Sequence, residues 1–284
     1  MRRSALFSLF CLLPALSQAA PALLTQFKLS AEAQLAYQQF QESLQHKAFA
    51  YSRDGQFGRS ERRANEEDAA RVAIQACQKQ SKTLCQLYAI NEDSWEARYS
   101  EFLRASEASL SQLKPGHPKL KETEEIDWLL STAQNLRRQS LGMHYPTPRQ
   151  IQGITTLSTP ELIERIKQKN LVLLDAQGLS NRQATLPFAY LVDGSSNHYD
   201  AKDAAWNEKL RLAFLNLMEQ HFPDKDQAIA VFCTGPDCWL SVNTLLQLQR
   251  QGYRKLYWYR GGMMAWLEAK LPVVKPAPAL VVSY

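Results

Sequence analysis

Residues 228–239 read Ala-Ile-Ala-Val-Phe-Cys-Thr-Gly-Pro-Asp-Cys-Trp, and this stretch predicts a strand that ends at a cysteine. Its first five residues form a continuous apolar run, which is typical of a strand buried on both faces of a parallel sheet. A helical pattern begins at Trp239, so Cys233 stands between the end of a strand and the start of a helix. In open parallel sheets, ligands bind beyond the carboxyl ends of the strands. The unpaired backbone N–H groups at the start of the next helix favour an anion at the same place. The stretch therefore predicts a reactive Cys233 thiolate, with a buried, inert cysteine as the alternative.

Strands and helices alternate on both sides of this stretch. Further strands are expected at residues 171–175, 188–192 and 256–259, and helices at 160–169, 203–221, 239–251 and 263–270. Thr159 is the expected cap of the first of these helices. Alternating strands and helices predict an α/β domain, with a parallel sheet flanked by helices, over residues 146–274. A tail follows at 275–284.

The preceding region, residues 21–145, is predicted to be helix-rich and to contain a small α/β module. Helices are expected at residues 30–45, 66–79, 100–114 and 120–141, a β-hairpin at 47–60 and a strand at 84–91. Cys77 lies near the end of one helix and Cys85 at the start of the next strand. No basic neighbour activates either thiol, so we predict a structural disulfide between them rather than a reactive pair. Residues 142–148, with two prolines, are the predicted domain boundary.

Residues 1–20 have the order of a secretory signal peptide: a basic start, a short apolar run and small residues. A buried N-terminal helix is the alternative, and the run is too short to span a bilayer, which takes about 20 residues. Removal of Arg2 and Arg3 with this segment lowers the net charge from +5 to +3, which gives no reason to expect a nucleic-acid partner. We predict a periplasmic or secreted protein that is not inserted in a membrane after the signal is removed.

From about Pro148 to Pro272 the chain resembles a rhodanese domain. The family's motifs occur in order as Leu173-Leu-Asp175, Ala184-Thr-Leu-Pro-Phe-Ala189, Val231-Phe-Cys233, Gly252-Tyr253 and Gly261-Gly262…Trp266. The resemblance implies that Cys233 takes up sulfane sulfur as a persulfide and passes it to a thiol acceptor. The implied partners are a small sulfur-containing substrate or a thiol-bearing protein.

The chain also departs from the usual rhodanese pattern. The sixth residue of the active loop, commonly Arg, is Cys238, and Gln177 replaces the Arg often found after the strand aspartate. Asp237 adds a negative charge that opposes a thiolate, and Pro236 removes one N–H donor. The Cys-x4-Cys-Trp arrangement resembles a rhodanese-like subgroup that is associated with periplasmic quinoprotein alcohol catabolism.

Two sulfurs on one tight loop allow several functions. Cys238 could resolve a Cys233 persulfide as a disulfide, or the pair could be a structural disulfide formed during export. The protein is therefore interpreted as a sulfurtransferase, with a dithiol–disulfide oxidoreductase and a non-catalytic binding module as alternatives.

The remaining candidate residues surround this pair. We assign Thr234, Gly235, Asp237 and Trp239 to the substrate-binding loop, Trp239 chiefly as a packing residue. Backbone N–H groups of Thr234, Gly235 and Cys238 are expected to hold the sulfur anion. Asp175, Gly261 and Gly262 are structural residues near the site, and Arg260 is placed near its mouth. The five histidines lack metal-ligand spacing and are expected at the surface or in caps, so no metal is predicted. The sequence also has no Gly-rich phosphate loop, and no cofactor is predicted.

Overall fold

The computed structural model describes residues 29–112, 136–137, 141–168, 171–178, 183–192 and 204–274. Within the first range the elements are α1 (Ala31–Gln41), β1 (Ala48–Ser52), β2 (Phe57–Ser60), α2 (Glu66–Gln78), β3 (Cys85–Ile90), β4 (Asp93–Ser94) and α3 (Trp95–Gln112). The four strands form an antiparallel sheet in the order β2-β1-β3-β4. The predicted small α/β module is therefore present.

Local chemistry explains where the elements of this module begin and turn. The Ser30 hydroxyl accepts a hydrogen bond from the N–H of Ala33 and so caps α1. Gly55, with a φ of +86°, supplies the left-handed residue of the β1–β2 turn. The predicted disulfide joins Cys77 of α2 to Cys85 of β3, whose Cα atoms are 6.0 Å apart. Helix α2 is thereby tied to the sheet on which it packs.

The C-terminal part is an α/β layer structure. Its elements are β5 (Thr155–Thr156), α4 (Thr159–Lys167), β6 (Val172–Asp175), β7 (Ala189–Leu191), α5 (Ala204–His221), β8 (Ile229–Phe232), α6 (Trp239–Arg250), β9 (Leu256–Tyr259) and α7 (Gly262–Glu268). The strands form a parallel sheet in the order β5-β9-β8-β6-β7. All residues of β6 and β8 are buried, as their unbroken apolar runs predict. The carboxyl ends of β6, β8 and β9 therefore meet at one edge of the sheet.

Several sequence expectations differ from the structure. Helix α1 ends at Gln41 rather than at residue 45, and the short strands β4 and β5 were not expected. Ser158, rather than Thr159, caps α4, because the Thr159 hydroxyl is buried against the hydroxyl of Tyr259 at 2.7 Å. Helix α3 begins five residues earlier than expected, at Trp95. His221, expected at the surface or in a cap, is only 7% exposed. Arg137 is not helical, because its backbone N–H and C=O both bond to the side-chain amide of Asn243.

Several predictions fall on residues outside the described ranges. These are the signal peptide at 1–20, most of the helix at 120–141 and the tail at 275–284. In the part of the chain that the structure covers, no helix combines the length and the apolar character needed to cross a bilayer.

The N-terminal region and the parallel-sheet region share one apolar cluster. Phe102 of α3 stacks on Trp266 of α7, with ring centroids 6.1 Å apart and planes 3° from parallel. Phe188, just before β7, contacts Phe102 edge-on at 5.9 Å. Phe102 and Trp266 are buried and belong to a cluster that also includes Phe40 and Phe49 of the antiparallel module. The two regions are therefore packed together through α3.

Candidate functional site

Cys233 lies immediately after β8 and is joined by a disulfide to Cys238, the residue that caps α6. Their Cα atoms are 6.1 Å apart, and we call residues 233–238 the cysteine loop. The side chains are almost completely buried, with 1% of Cys233 and none of Cys238 exposed. A disulfide-bonded pair of cysteines therefore occupies the edge of the sheet at which ligands of this architecture bind.

The start of α7 supports the cysteine loop from one side. The N–H groups of Met263 and Met264 donate to the carbonyls of Cys233 and Thr234, at 3.0 and 2.9 Å. Gly262 makes this approach possible: its φ is +54°, and a Cβ there would overlap the Cys233 carbonyl. The backbone of the loop is thus fixed by a second element at the positions around the sulfur.

A segment at residues 143–147, which we call the strap, is hydrogen-bonded to the second half of the loop and to the first residue of α6. The N–H of Trp239 donates to the carbonyl of Met143 at 2.9 Å, and the N–H of Tyr145 donates to the carbonyl of Asp237 at 2.7 Å. Thr147 completes the pairing by donating to the carbonyl of Pro236 from both its N–H, at 3.3 Å, and its hydroxyl. The predicted domain boundary is therefore hydrogen-bonded along the cysteine loop.

Two residues assigned from the sequence to sulfur binding, Cys238 and Trp239, instead donate hydrogen bonds within the loop and to the strap. The N–H of Cys238 donates to the Gly235 carbonyl at 3.1 Å, so the expectation that it helps to hold a sulfur anion is wrong for this conformation. The Trp239 indole N–H donates to the Pro146 carbonyl at 3.0 Å, and the side chain is only 8% exposed. Trp239 therefore packs against the strap, as its place at the start of α6 suggests.

The other assigned loop residues, Thr234, Gly235 and Asp237, lie between the two cysteines of the disulfide. The Thr234 hydroxyl is 3.7 Å from the Cys233 sulfur. Gly235 lies under Met264, and a Cβ on it would be 2.5 Å from the Met264 sulfur. Thr234 and Asp237 are half-buried, so these two side chains form the partly accessible rim of the loop.

Asp175 accepts hydrogen bonds at the end of β6, next to the cysteine loop. Its backbone pairs with Phe232, the residue before Cys233. Its fully buried carboxylate accepts bonds from the N–H of Gln177 at 2.8 Å, the Gln177 amide at 3.1 Å and the Thr185 hydroxyl at 2.6 Å. Gln177, where the family often has Arg, therefore serves to bind the aspartate.

Arg260 follows β9 and lies inside the site. It is 1% exposed, and its Nε and one terminal nitrogen donate to the hydroxyl and the carbonyl of Thr147, at 3.2 and 3.4 Å. The sequence indicated Arg260 only as a residue near the mouth. Sequence reasoning missed Thr147 and the rest of the strap, since no pattern in residues 143–147 indicates which backbone groups they will meet.

Outside the cysteine loop, the described residues form a cavity but no cluster of metal ligands. No group of three or more His, Cys, Asp or Glu side chains within them is arranged to hold a metal ion. A cavity of about 980 Å³ lies between the antiparallel module and β7, and residues such as Leu87, Arg98 and Tyr190 line it. Its described lining includes no residue of the cysteine loop.

Residues 158–269 match the family model of the rhodanese-like domain. Comparison with curated proteins gives no significant match. Residues 158–269 therefore form a rhodanese-like domain, and the match includes β6 to α7 and the whole cysteine loop.

Solved structures give weaker similarities. A polysulfide-sulfur transferase homodimer from Wolinella succinogenes is 17% identical, with 44% of this chain and 82% of that chain covered and a TM-score of 0.31. A thiosulfate sulfurtransferase from Pseudomonas aeruginosa is 18% identical, with 45% and 21% covered and a TM-score of 0.34. A rhodanese-like domain from Anabaena sp. is 15% identical, with 37% and 92% covered and a TM-score of 0.27.

Proposed function

We propose that the rhodanese-like domain is a sulfurtransferase or persulfide carrier in which Cys233 accepts sulfane sulfur and Cys238 is the resolving thiol. The observation that carries this proposal is the Cys233–Cys238 pair at the carboxyl edge of a parallel sheet, on a loop held by α7 and the strap. The donor is a small sulfane-sulfur compound such as thiosulfate or a polysulfide. The acceptor is a thiol, on a small molecule or on another protein.

Sulfur transfer starts from the reduced pair. The Cys233 thiolate attacks the outer sulfur of the donor, and the sulfur–sulfur bond of the donor breaks. Its electron pair leaves with sulfite or with a shortened polysulfide, so Cys233 carries a persulfide anion. An acceptor thiolate then attacks the outer sulfur of that persulfide, which forms an acceptor persulfide and returns Cys233 as a thiolate.

Cys238 adds a second outcome that a single cysteine does not allow. Its thiolate attacks the inner sulfur of the protonated persulfide, the Cys233 sulfur. The sulfur–sulfur bond of the persulfide breaks, and its electron pair leaves with hydrosulfide as the intramolecular disulfide forms. An external dithiol then supplies two electrons to regenerate both thiols. Since both sulfurs are buried, a donor reaches them by displacing the strap or the rim of the loop.

We further propose that the protein works in the periplasm or outside the cell. The signal-like order of residues 1–20 supports this location. Two disulfides within the described residues also favour an oxidising compartment, because cytosolic thiols are kept reduced.

A dithiol–disulfide oxidoreductase is the second candidate, and the disulfide between Cys233 and Cys238 favours it specifically. In this function the pair exchanges two electrons with a partner dithiol and carries no extra sulfur. A reduction potential below roughly −300 mV would identify a structural bridge and argue against such cycling.

The experiment that separates these functions is intact mass with peptide mapping on the exported, reduced protein, before and after thiosulfate or polysulfide. We expect one added sulfur atom on Cys233 in the Cys238→Ser variant, where no resolving thiol removes it, and its loss to a thiol acceptor. The matched Cys233→Ser variant should take up no sulfur. A disulfide that never gains sulfur, or transfer that survives in Cys233→Ser, would overturn the sulfurtransferase proposal.

A further inference from the structure

We propose that Arg260 is the cation that keeps the reduced Cys233 sulfur in its thiolate form. The inference rests on the proposed function only for what the thiolate then does, since thiolate formation is measurable without any sulfur transfer. The sequence of the cysteine loop itself supplies no cation that would stabilise a thiolate. Cys238 occupies the position where an arginine is common in related domains, and Asp237 adds a negative charge nearby.

Strand register places Arg260 beside Cys233. Strands β8 and β9 are parallel and paired from Ile229 with Leu256 to Phe232 with Tyr259. Cys233 and Arg260 are each the next residue, and neighbouring strands lie about 5 Å apart. The chain stays close beyond this point, because the Met263 N–H donates to the Cys233 carbonyl at 3.0 Å.

The two side chains also project to the same face of the sheet. The Arg260 guanidinium lies over the ring of Trp258, two residues earlier on the same face, at 5.9 Å. Trp258 pairs with Val231, which is two residues before Cys233, and paired residues of parallel strands share a face. On that face the Trp258 indole donates to Ser241 of α6, the helix that Cys238 caps. The guanidinium is therefore on the side of the sheet from which the disulfide forms.

Hydrogen bonds hold the guanidinium next to the loop. Arg260 donates to Thr147, and the Thr147 hydroxyl donates to the carbonyl of Pro236 in the cysteine loop. With 1% of Arg260 exposed, its charge is poorly screened by water, so it acts strongly on a neighbouring anion.

The other charged groups around Cys233 either oppose or favour its thiolate form. Asp175 at the end of β6 and Asp237 in the loop oppose a thiolate, while the first turn of α6 favours one. His144 of the strap is exposed, and the Arg137 guanidinium lies over the ring of Trp239, with 5.4 Å between it and the ring centroid. Arg260 is the cation that the sheet register brings level with the sulfur.

The test is the pKa of the Cys233 thiol in the full chain carrying Cys11→Ser and Cys238→Ser. The chain has five cysteines, so Cys233 is then the one thiol outside the Cys77–Cys85 disulfide, and no reductant is needed. Titration is followed by the ultraviolet absorbance of the thiolate, which does not require a reagent to enter the site. We expect a pKa below about 8.5, the value of an ordinary cysteine. Arg260→Gln should raise it by about one pH unit or more, and Arg260→Lys should retain most of the effect.

The matched control is Arg254→Gln, which also removes one positive charge. Arg254 precedes the start of β9, whereas Arg260 follows its end, and it is exposed and forms an ion pair with Asp226. This change should leave the pKa unaltered. An unchanged pKa in folded Arg260→Gln overturns the proposal. If that variant does not fold, a pKa at or above about 8.5 with Arg260 in place overturns it as well. Loss of sulfur uptake with the Arg260 effect intact would refute the proposed function alone, and the reverse result would refute the role of Arg260 alone.

Discussion

Replacement of Gly262 by alanine should disturb the cysteine loop more than it disturbs any other part of the structure. The backbone at Gly262 has a φ of +54°, and an L-residue in that region costs about 1–2 kcal/mol. The added Cβ also overlaps the Cys233 carbonyl, so α7 must move away from the loop. The hydrogen bonds from Met263 and Met264 to the loop are then weakened, at about 1 kcal/mol each. Together these effects give an expected loss of roughly 3–4 kcal/mol.

The assay is the free energy of unfolding from chemical denaturation, with Gly252→Ala as the matched control. Gly252 also has a positive φ, of +91°, but a Cβ there meets nothing within 4 Å. The control should therefore lose only the conformational part, about 1–2 kcal/mol. Equal losses in the two variants would refute the reasoning, because the contact with Cys233 would then contribute nothing.

Three further predictions concern other parts of the chain. Burial lowers the pKa of His221 to about 4, below the value of about 6.5 in the unfolded chain. The free energy of unfolding should therefore fall, by roughly 2–3 kcal/mol, as the pH decreases from about 6.5 to about 4. His221→Asn should remove this dependence in pH-resolved denaturation, and an unchanged slope would contradict it. Trp239→Phe deletes one hydrogen bond to the strap, worth about 1 kcal/mol, and should speed alkylation of Cys233 about fivefold in the Cys238→Ser background, whereas an unaltered rate would show that the strap does not control access. Phe102→Ala should lower the free energy of unfolding by about 3–4 kcal/mol in denaturant titration, and a loss below about 1 kcal/mol would mean that its stacking on Trp266 of α7 is unimportant.

The sequence was most informative where one local pattern determines an element. The apolar runs of β6 and β8 predicted buried parallel strands, since only a sheet covered on both faces accepts such runs. The placement of Cys77 at a helix end and of Cys85 at the next strand predicted a disulfide that is present. The cap of α4 was misplaced by one residue because Ser158 and Thr159 can both cap a helix, and only the contact of Thr159 with Tyr259 distinguishes them.

Features of the site that depend on distant contacts were not predictable in the same way. The strap meets the cysteine loop through backbone groups, which every residue carries, so its sequence holds no signal for this pairing. The N–H of Cys238 was expected to face a sulfur anion, but the turn of the loop directs it to Gly235. Arg260 was recognised as a residue after a strand, whereas its burial beside Thr147 follows only from the packed structure.

The stacking of Phe102 on Trp266 bears on how this protein is dissected. A fragment that starts at the predicted boundary, residue 146, would retain every motif of the rhodanese-like domain but lose α3 and the first part of the strap. Trp266, which is fully buried in the whole chain, would then face water together with part of the apolar cluster around it. Such a fragment should aggregate or unfold more readily than the intact chain. If such a fragment is inactive, the cause would be its exposed apolar face rather than the chemistry of its cysteines.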